Sequence, residues 1–187
     1  MTDKIYISAN ELLADSFTLA ARIYDSGLRP DFIVGVWRGG TPVAIAVQEY
    51  LQYKNVTGDH FAIRALSYTG IDEQSATVRV DGLDYVVENI NADNTLLIVD
   101  DVFDTGRSIQ AVINELSQKA GGNMPKVMKT ACPWYKPARN KTDIVPDFYL
   151  HETDAWLVFP HELLGLEVEE IIRGKPELAK ILASLKD

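Results

Sequence analysis

Leu96-Leu97-Ile98-Val99-Asp100-Asp101-Val102-Phe103-Asp104-Thr105-Gly106-Arg107-Ser108-Ile109 decides the reading of this chain. Four apolar residues without alternation predict a strand buried on both faces of a parallel sheet, and the polar cluster after them falls at its carboxyl end. Ligands of open α/β sheets bind at that end. Thr105 to Ser108 open a helical pattern and offer free backbone N–H groups and two hydroxyls, a cradle for a phosphate dianion that needs no large basic patch. Asp100, Asp101 and Asp104 suit other work, since carboxylates accept hydrogen bonds from sugar hydroxyls and hold hard Mg2+, directly or through water.

Outward from this stretch, composition sets the limits. With 187 residues, 47% of them hydrophobic and 24% charged, the chain can bury one good core, so a single domain with a small appendage is expected. The net charge of -9 speaks against a sequence-independent grip on nucleic acid, which needs Lys and Arg to displace counterions. Cys132 is the only cysteine, so no internal disulfide forms, and it reads as a buried strand residue. The start MTDKIYIS carries no signal-peptide pattern and no apolar run reaches membrane-spanning length. These features predict a soluble, cytoplasmic protein. Three scattered histidines offer no zinc-ligand spacing.

Upstream, Ser8-Ala9-Asn10-Glu11 is a capping box for a helix with Leu13, Phe17, Ala20 and Tyr24 at helical spacing, closed by Gly27. Phe32 to Val36 predicts a second doubly buried strand, and Pro42 suits the first turn of a helix to about Tyr53, with Thr41 as its cap. Between them Arg38-Gly39-Gly40 is the second site candidate. Two glycines let the backbone approach a ligand closely, and the arginine can fork onto phosphate oxygens. His60 to Leu66 reads as a strand, Ser67 to Ser75 as a polar loop, and residues 77–90 as a short hairpin or arm turning at Asp81-Gly82.

Downstream, Ile109, Val112, Ile113 and Leu116 make one apolar helix stripe ended by Gly121-Gly122. Lys126 to Cys132 reads as the next strand, leaving Pro133 to Pro137 at its carboxyl end. Asp147 to Leu150 and Trp156 to Phe159 are short strand candidates, and the tail from Leu166 is helical, broken near Gly174-Lys175-Pro176.

At residues 96–109 the chain resembles a type I phosphoribosyltransferase, whose PRPP-binding motif is four apolar residues, two acids and a Thr/Gly-rich loop. The resemblance implies an α/β fold with a central, mostly parallel sheet flanked by helices and a small hood formed largely by C-terminal residues. One domain would span residues 1–187: a core at about 28–132, a lid at 67–75, a hood at 133–165 and a helical tail at 166–187. Arg38, Gly39 and Gly40 would be the pyrophosphate loop, with a cis peptide just before Arg38. The lid interval carries the Ser67-Tyr68 pair that would close over PRPP. Thr105, Gly106, Arg107 and Ser108 would cradle the 5'-phosphate, and Asp100 and Asp101 would hold the ribose hydroxyls or hydrated Mg2+, Asp101 being the better metal candidate.

Lys136 and the Asp154-Ala155-Trp156-Leu157 segment resemble the base-recognition elements of the 6-oxopurine (xanthine-guanine, hypoxanthine-guanine) branch. Lysine supplies a donor for the 6-oxo group, an aromatic face stacks on the base, and the backbone at Leu157 reads the opposite edge. Trp134 and Tyr135 compete with Trp156 for the stacking role. The resemblance implies purine salvage: base plus PRPP gives the nucleoside 5'-monophosphate and pyrophosphate, with Mg2+ as cofactor and Asp104 as acid/base at the purine N7. It also implies a homo-oligomer, a dimer or tetramer, with no nucleic-acid or membrane partner. Two rivals stand beside this reading: a phosphoribosyltransferase for another base, and a PRPP-sensing, RNA-binding regulator on the same fold. Acidic charge and the acid at Asp104 weigh against the regulator.

Overall fold

The computed structural model describes residues 4–68 and 77–183. Strand β1 (Lys4–Tyr6) leads into helix α1 (Ala9–Asp25) through the expected capping box. Ser8 Oγ accepts the Glu11 N–H at 3.2 Å and a Glu11 carboxylate oxygen accepts the Ser8 N–H at 2.8 Å, so two helix-end donors are satisfied reciprocally. Strand β2 (Phe32–Trp37), helix α2 (Gly40–Tyr53), strands β3 (Asp59–Tyr68) and β4 (Thr77–Asp81) and the short helix α3 (Asp84–Asn89) follow. Next come β5 (Thr95–Val99), the two-residue β6 (Val102–Phe103), α4 (Arg107–Ala120) and β7 (Val127–Tyr135). Strands β8 (Phe148–Glu152) and β9 (Trp156–Val158) and helices α5 (Val168–Gly174) and α6 (Pro176–Ala183) complete the order.

The chain divides into two compact units, Asp15–Asp154 and Met1–Ala14 with Ala155–Asp187. The larger is built on a seven-stranded sheet ordered β4-β3-β2-β5-β7-β6, with β8 also paired to β7. Among the described residues, β3 with β4 is the one antiparallel pair of this sheet. Leu96 to Val99 of β5 are at most 1% exposed, as their unbroken apolar run requires. Each such side chain removed from water stabilises the fold by roughly 1.5–3 kcal/mol, which pins the strand end where the acids begin. Ile109, Val112 and Leu116 of α4 join the same core.

In the smaller unit β1 pairs in parallel with β9. Lys4 Nζ lies 2.5 Å from Glu170, and Glu167 and Glu170 form a second capping box at α5. Lys175 is buried and donates to the Phe159 carbonyl; burial pulls its ammonium below the usual lysine range. The expected hood segment 133–165 is thus divided, with 133–154 in the larger unit and 155–165 in the smaller.

Three local expectations are corrected. Residues 77–90 are half a hairpin: β4 pairs with β3, but Asp84 to Asn89 form helix α3, seated by the buried Val86. Strand β7 runs through Tyr135, because Pro133, which has no N–H to donate, falls where the pairing of β7 passes from β5 to β6 and where β8 skips a residue. Thr41 does not cap α2. Gly39 stands at the cap position, and the Thr41 hydroxyl, already within the first turn, donates to the Arg38 carbonyl at 2.7 Å.

Candidate active site

The carboxyl ends of β2, β5 and β6 bring the two motifs together. Asp100 follows β5 and Asp101 is nearly buried. A carboxylate oxygen of Asp100 accepts the Asp101 N–H at 3.0 Å, and one of Asp101 accepts the Val102 N–H at 2.8 Å. The Asp100 residue is half-buried, and burial, together with the Asp101 carboxylate beside it, holds its carboxyl well above the usual carboxylate range. The Arg38-Gly39-Gly40 loop lies directly on this pair. A Cβ at Gly39 would sit 1.8 Å from Asp101 Oδ2, and one at Gly40 would meet the Val99 carbonyl at 2.6 Å and Asp100 Cα at 2.7 Å. No residue but glycine fits at either position without displacing an acid or the strand. The Trp37–Arg38 peptide is cis, as the resemblance implied.

Thr105 to Ser108 form the turn into α4. Gly106 has φ +76°, and a Cβ there would meet Thr142 Oγ1 at 2.5 Å and the Phe103 ring at 2.8 Å, so glycine is needed for conformation and for space. The cap residue Gly106 has no side chain to cap α4, and the Thr105 hydroxyl accepts the Arg107 N–H only at a long 3.4 Å, a contact that a ligand can replace. The turn is braced from outside by the Lys141 N–H, which donates to the Thr105 carbonyl at 3.0 Å. Asp100, Asp101, Asp104, Thr105, Gly106 and Ser108 line one concavity of about 200 Å³. Arg107 does not line it: its exposed side chain points into a separate groove of about 640 Å³ beside Gln110, Asn114 and Lys141.

Strand β6 carries Asp104 to the end of β7, where the Lys136 N–H donates to the Phe103 carbonyl at 2.9 Å. Lys136 is buried, and its Nζ donates to Asp104 Oδ2 at 3.2 Å. Arg139 Nε lies 2.7 Å from Asp104 Oδ1. Sequence reasoning missed Arg139 as a site residue, because its partner is 35 positions away. A signal was present in Lys136-Pro137-Ala138-Arg139, since proline starts a 3₁₀ turn and positions three apart on such a turn lie on one side.

The remaining candidates separate. Tyr135 is committed to the core, its ring edge-on to Phe103 at 5.7 Å, and the Trp134 ring lies on His151 at 4.4 Å. Trp156 and Leu157 belong to the smaller unit, in β9, with Trp156 exposed and Leu157 buried. Ser67 and Tyr68 end β3, pairing with Val78 and Thr77. Residues 69–75 of the expected lid lie outside the described residues.

Residues 5–163 match the family model of the phosphoribosyl transferase domain. The chain belongs to the phosphoribosyltransferase family. A purine phosphoribosyltransferase from Pyrococcus horikoshii Ot3 is 30% identical, with 88% of this chain and 97% of that one covered and a TM-score of 0.69. Two more distant structures share the fold. A hypothetical protein from Neisseria gonorrhoeae with bound ppGpp is 21% identical over 97% of this chain and 98% of its own, TM-score 0.73. The xanthine-guanine-hypoxanthine phosphoribosyltransferase of Helicobacter pylori is 19% identical over 85% and 92%, TM-score 0.62. No curated protein sequence matches significantly.

For a phosphoribosyltransferase the donor set at Asp100 and Asp101 is chemically apt. Two hard carboxylates suit a Mg2+ ion that keeps water ligands and takes its other oxygens from a substrate. Among the described residues no group of three or more His, Cys, Asp or Glu is gathered as an all-protein metal site, and no helix is long and apolar enough to cross a membrane. Cys132 is buried in β7 and burial pushes its thiol up, far from the thiolate a nucleophile would need.

Proposed function

We propose that this phosphoribosyltransferase acts in purine salvage, joining a 6-oxopurine (guanine, xanthine or hypoxanthine) to the ribose C1 of PRPP and releasing pyrophosphate. The observation that carries the reading is the Asp104–Lys136 pair, a buried ammonium 3.2 Å from a carboxylate oxygen at the rim of the phosphate concavity. On a 6-oxopurine, O6 and N7 lie along one edge of the ring system, so a donor and a proton acceptor side by side are its complement. The 30% identity to a protein described as a purine phosphoribosyltransferase supports the base class.

In this reading the backbone N–H groups of Thr105 to Ser108 and the Thr105 and Ser108 hydroxyls hold the 5'-phosphate, Arg107 contributing its N–H and not its side chain. Arg38, Gly39 and Gly40 hold the pyrophosphate, and Ser67 and Tyr68 close over PRPP. Asp100 and Asp101 hold the ribose hydroxyls and Mg2+, which when bound stabilises the charge of the departing pyrophosphate. Asp104 takes the purine N7 proton as the ribosyl carbon passes through an oxocarbenium-like state, and Lys136 donates to O6. Of the aromatic candidates for stacking, Tyr135 is committed to the core and Trp134 to His151, while Trp156 is exposed in the smaller unit.

A cytoplasmic homo-oligomer belongs to the same reading, and the exposed apolar Trp37, Ile45 and Tyr53 support self-association. The regulator reading is disfavoured by an acid held between two cations where catalysis would need it.

A screen of guanine, hypoxanthine, xanthine, adenine and uracil with PRPP and Mg2+ tests the proposal. An ammonium has donors only, so the adenine 6-amino group leaves a polar mismatch that discriminates by ~10^4. Turnover on the oxopurines with adenine near background is expected; adenine or uracil turned over faster would overturn the reading.

A further inference from the structure

Asp104 shares its two carboxylate oxygens between two unlike cations. Lys136, with a side chain 5% exposed, takes Oδ2, and Arg139, 47% exposed, reaches Oδ1 at 2.7 Å from the 3₁₀ turn Pro137–Arg139. Oδ1 is itself buried and accepts no aligned hydrogen bond, so the Arg139 contact is an ion pair that fixes where the oxygen sits. The turn is tied down at both ends: the Arg139 N–H donates to the Lys136 carbonyl at 3.1 Å, and Asn140 donates to the Ile144 carbonyl at 2.8 Å.

This arrangement poses a problem for the proposed chemistry, on which the inference rests. Lys136 cannot serve O6 while it is spent on Asp104, and Asp104 cannot reach N7 if both its oxygens close around the ammonium. A lysine ammonium is a compact charge with rotatable donors and places no limit on how the carboxylate turns. Arg139 supplies that limit. We propose that Arg139 is a positioning residue that holds Asp104 Oδ1, leaving Oδ2 and the Lys136 ammonium free to face N7 and O6 when the base enters. It acts through Asp104 and touches neither PRPP nor the base.

Steady-state kinetics on Arg139→Gln, Arg139→Lys, Asp104→Asn and the double variant Asp104→Asn/Arg139→Gln test this, with PRPP binding measured by calorimetry and folding by thermal melting. Misplacing Asp104 in Arg139→Gln should cost about 10^2-fold in kcat. The PRPP affinity and the melting temperature should stay near wild type. Arg139→Lys, which keeps the charge without the planar fork, should recover part of the loss. The double variant should be no slower than Asp104→Asn alone, since a residue acting only through Asp104 has nothing left to position.

Losses that multiply, or a fall in PRPP affinity with kcat preserved, would place Arg139 on the substrate and overturn the positioning role while leaving the catalytic reading of Asp104 intact. A near-wild-type Asp104→Asn would instead overturn the catalytic reading itself, and the positioning role with it.

Discussion

Gly39 lies so close to Asp101 that a Cβ on it would stand 1.8 Å from Asp101 Oδ2. Gly40, the next residue, meets main-chain atoms of β5 and Asp100 instead. The two glycines therefore predict different phenotypes for the same substitution. Gly39→Ala pushes a carboxylate aside, and a displacement of about 1 Å at a reacting site can cost about 10^2-fold in turnover. Gly40→Ala pushes on backbone that cannot yield, and overpacking of that kind destabilises by about 1–3 kcal/mol. Chemical denaturation and kinetics on both should show Gly39→Ala folded but slow with weak PRPP binding, and Gly40→Ala unfolding at lower denaturant. The reverse pattern would contradict the contact between these loops.

Lys136→Met keeps the stem and removes the ammonium. A hydrogen bond to a charged group is worth roughly 1.5–3 kcal/mol, so the KM for the oxopurine should rise about 10- to 10^2-fold. The PRPP affinity should not follow, because Lys136 pairs with Asp104 and not with the phosphate turn. Equal weakening of base and PRPP would place the lysine elsewhere in the site.

Cys132 should resist alkylation in the native protein and leave activity unchanged when replaced by Ala. Burial raises its thiol above the unfolded value of about 8.5. The folded state therefore holds the proton more tightly, so this contribution to stability is complete below the unfolded value and declines as pH climbs beyond it. Denaturation midpoints from pH 7 to 10 should fall less steeply for Cys132→Ala than for wild type. Rapid native-state labelling with iodoacetamide would contradict its placement in β7.

Much of this architecture was legible because burial on both faces erases alternation: Leu96 to Val99 and Phe32 to Val36 could be little but central parallel strands. The Ser8–Glu11 box was legible because its partners are three residues apart. What escaped reading depends on contacts distant in sequence. Asp81-Gly82 looks like a hairpin turn, and only packing of Val86 makes the following segment a helix. Pro133 looks like a strand end, and only the handover from β5 to β6 shows why β7 tolerates it. Arg107 reads as a phosphate ligand by its neighbours, yet a helix start presents backbone inward while this side chain lines the outer groove. Arg139 carries no motif of its own and is found only through Asp104.

The central claim is that Asp104 moves a proton while Asp100, Asp101 and the phosphate turn hold PRPP, and one comparison tests it most directly. Asp104→Asn and Asp101→Asn are to be measured for kcat with guanine or hypoxanthine and for PRPP affinity in the presence of Mg2+. The account predicts that Asp104→Asn lowers kcat by about 10^2- to 10^4-fold, the range for loss of a general acid/base, with PRPP affinity nearly unchanged. Asp101→Asn should weaken PRPP and Mg2+ binding instead. If Asp104 only anchors Lys136 and Arg139, turnover would not depend on its proton, and a near-wild-type kcat for Asp104→Asn would leave the reaction without its proton carrier and contradict the account.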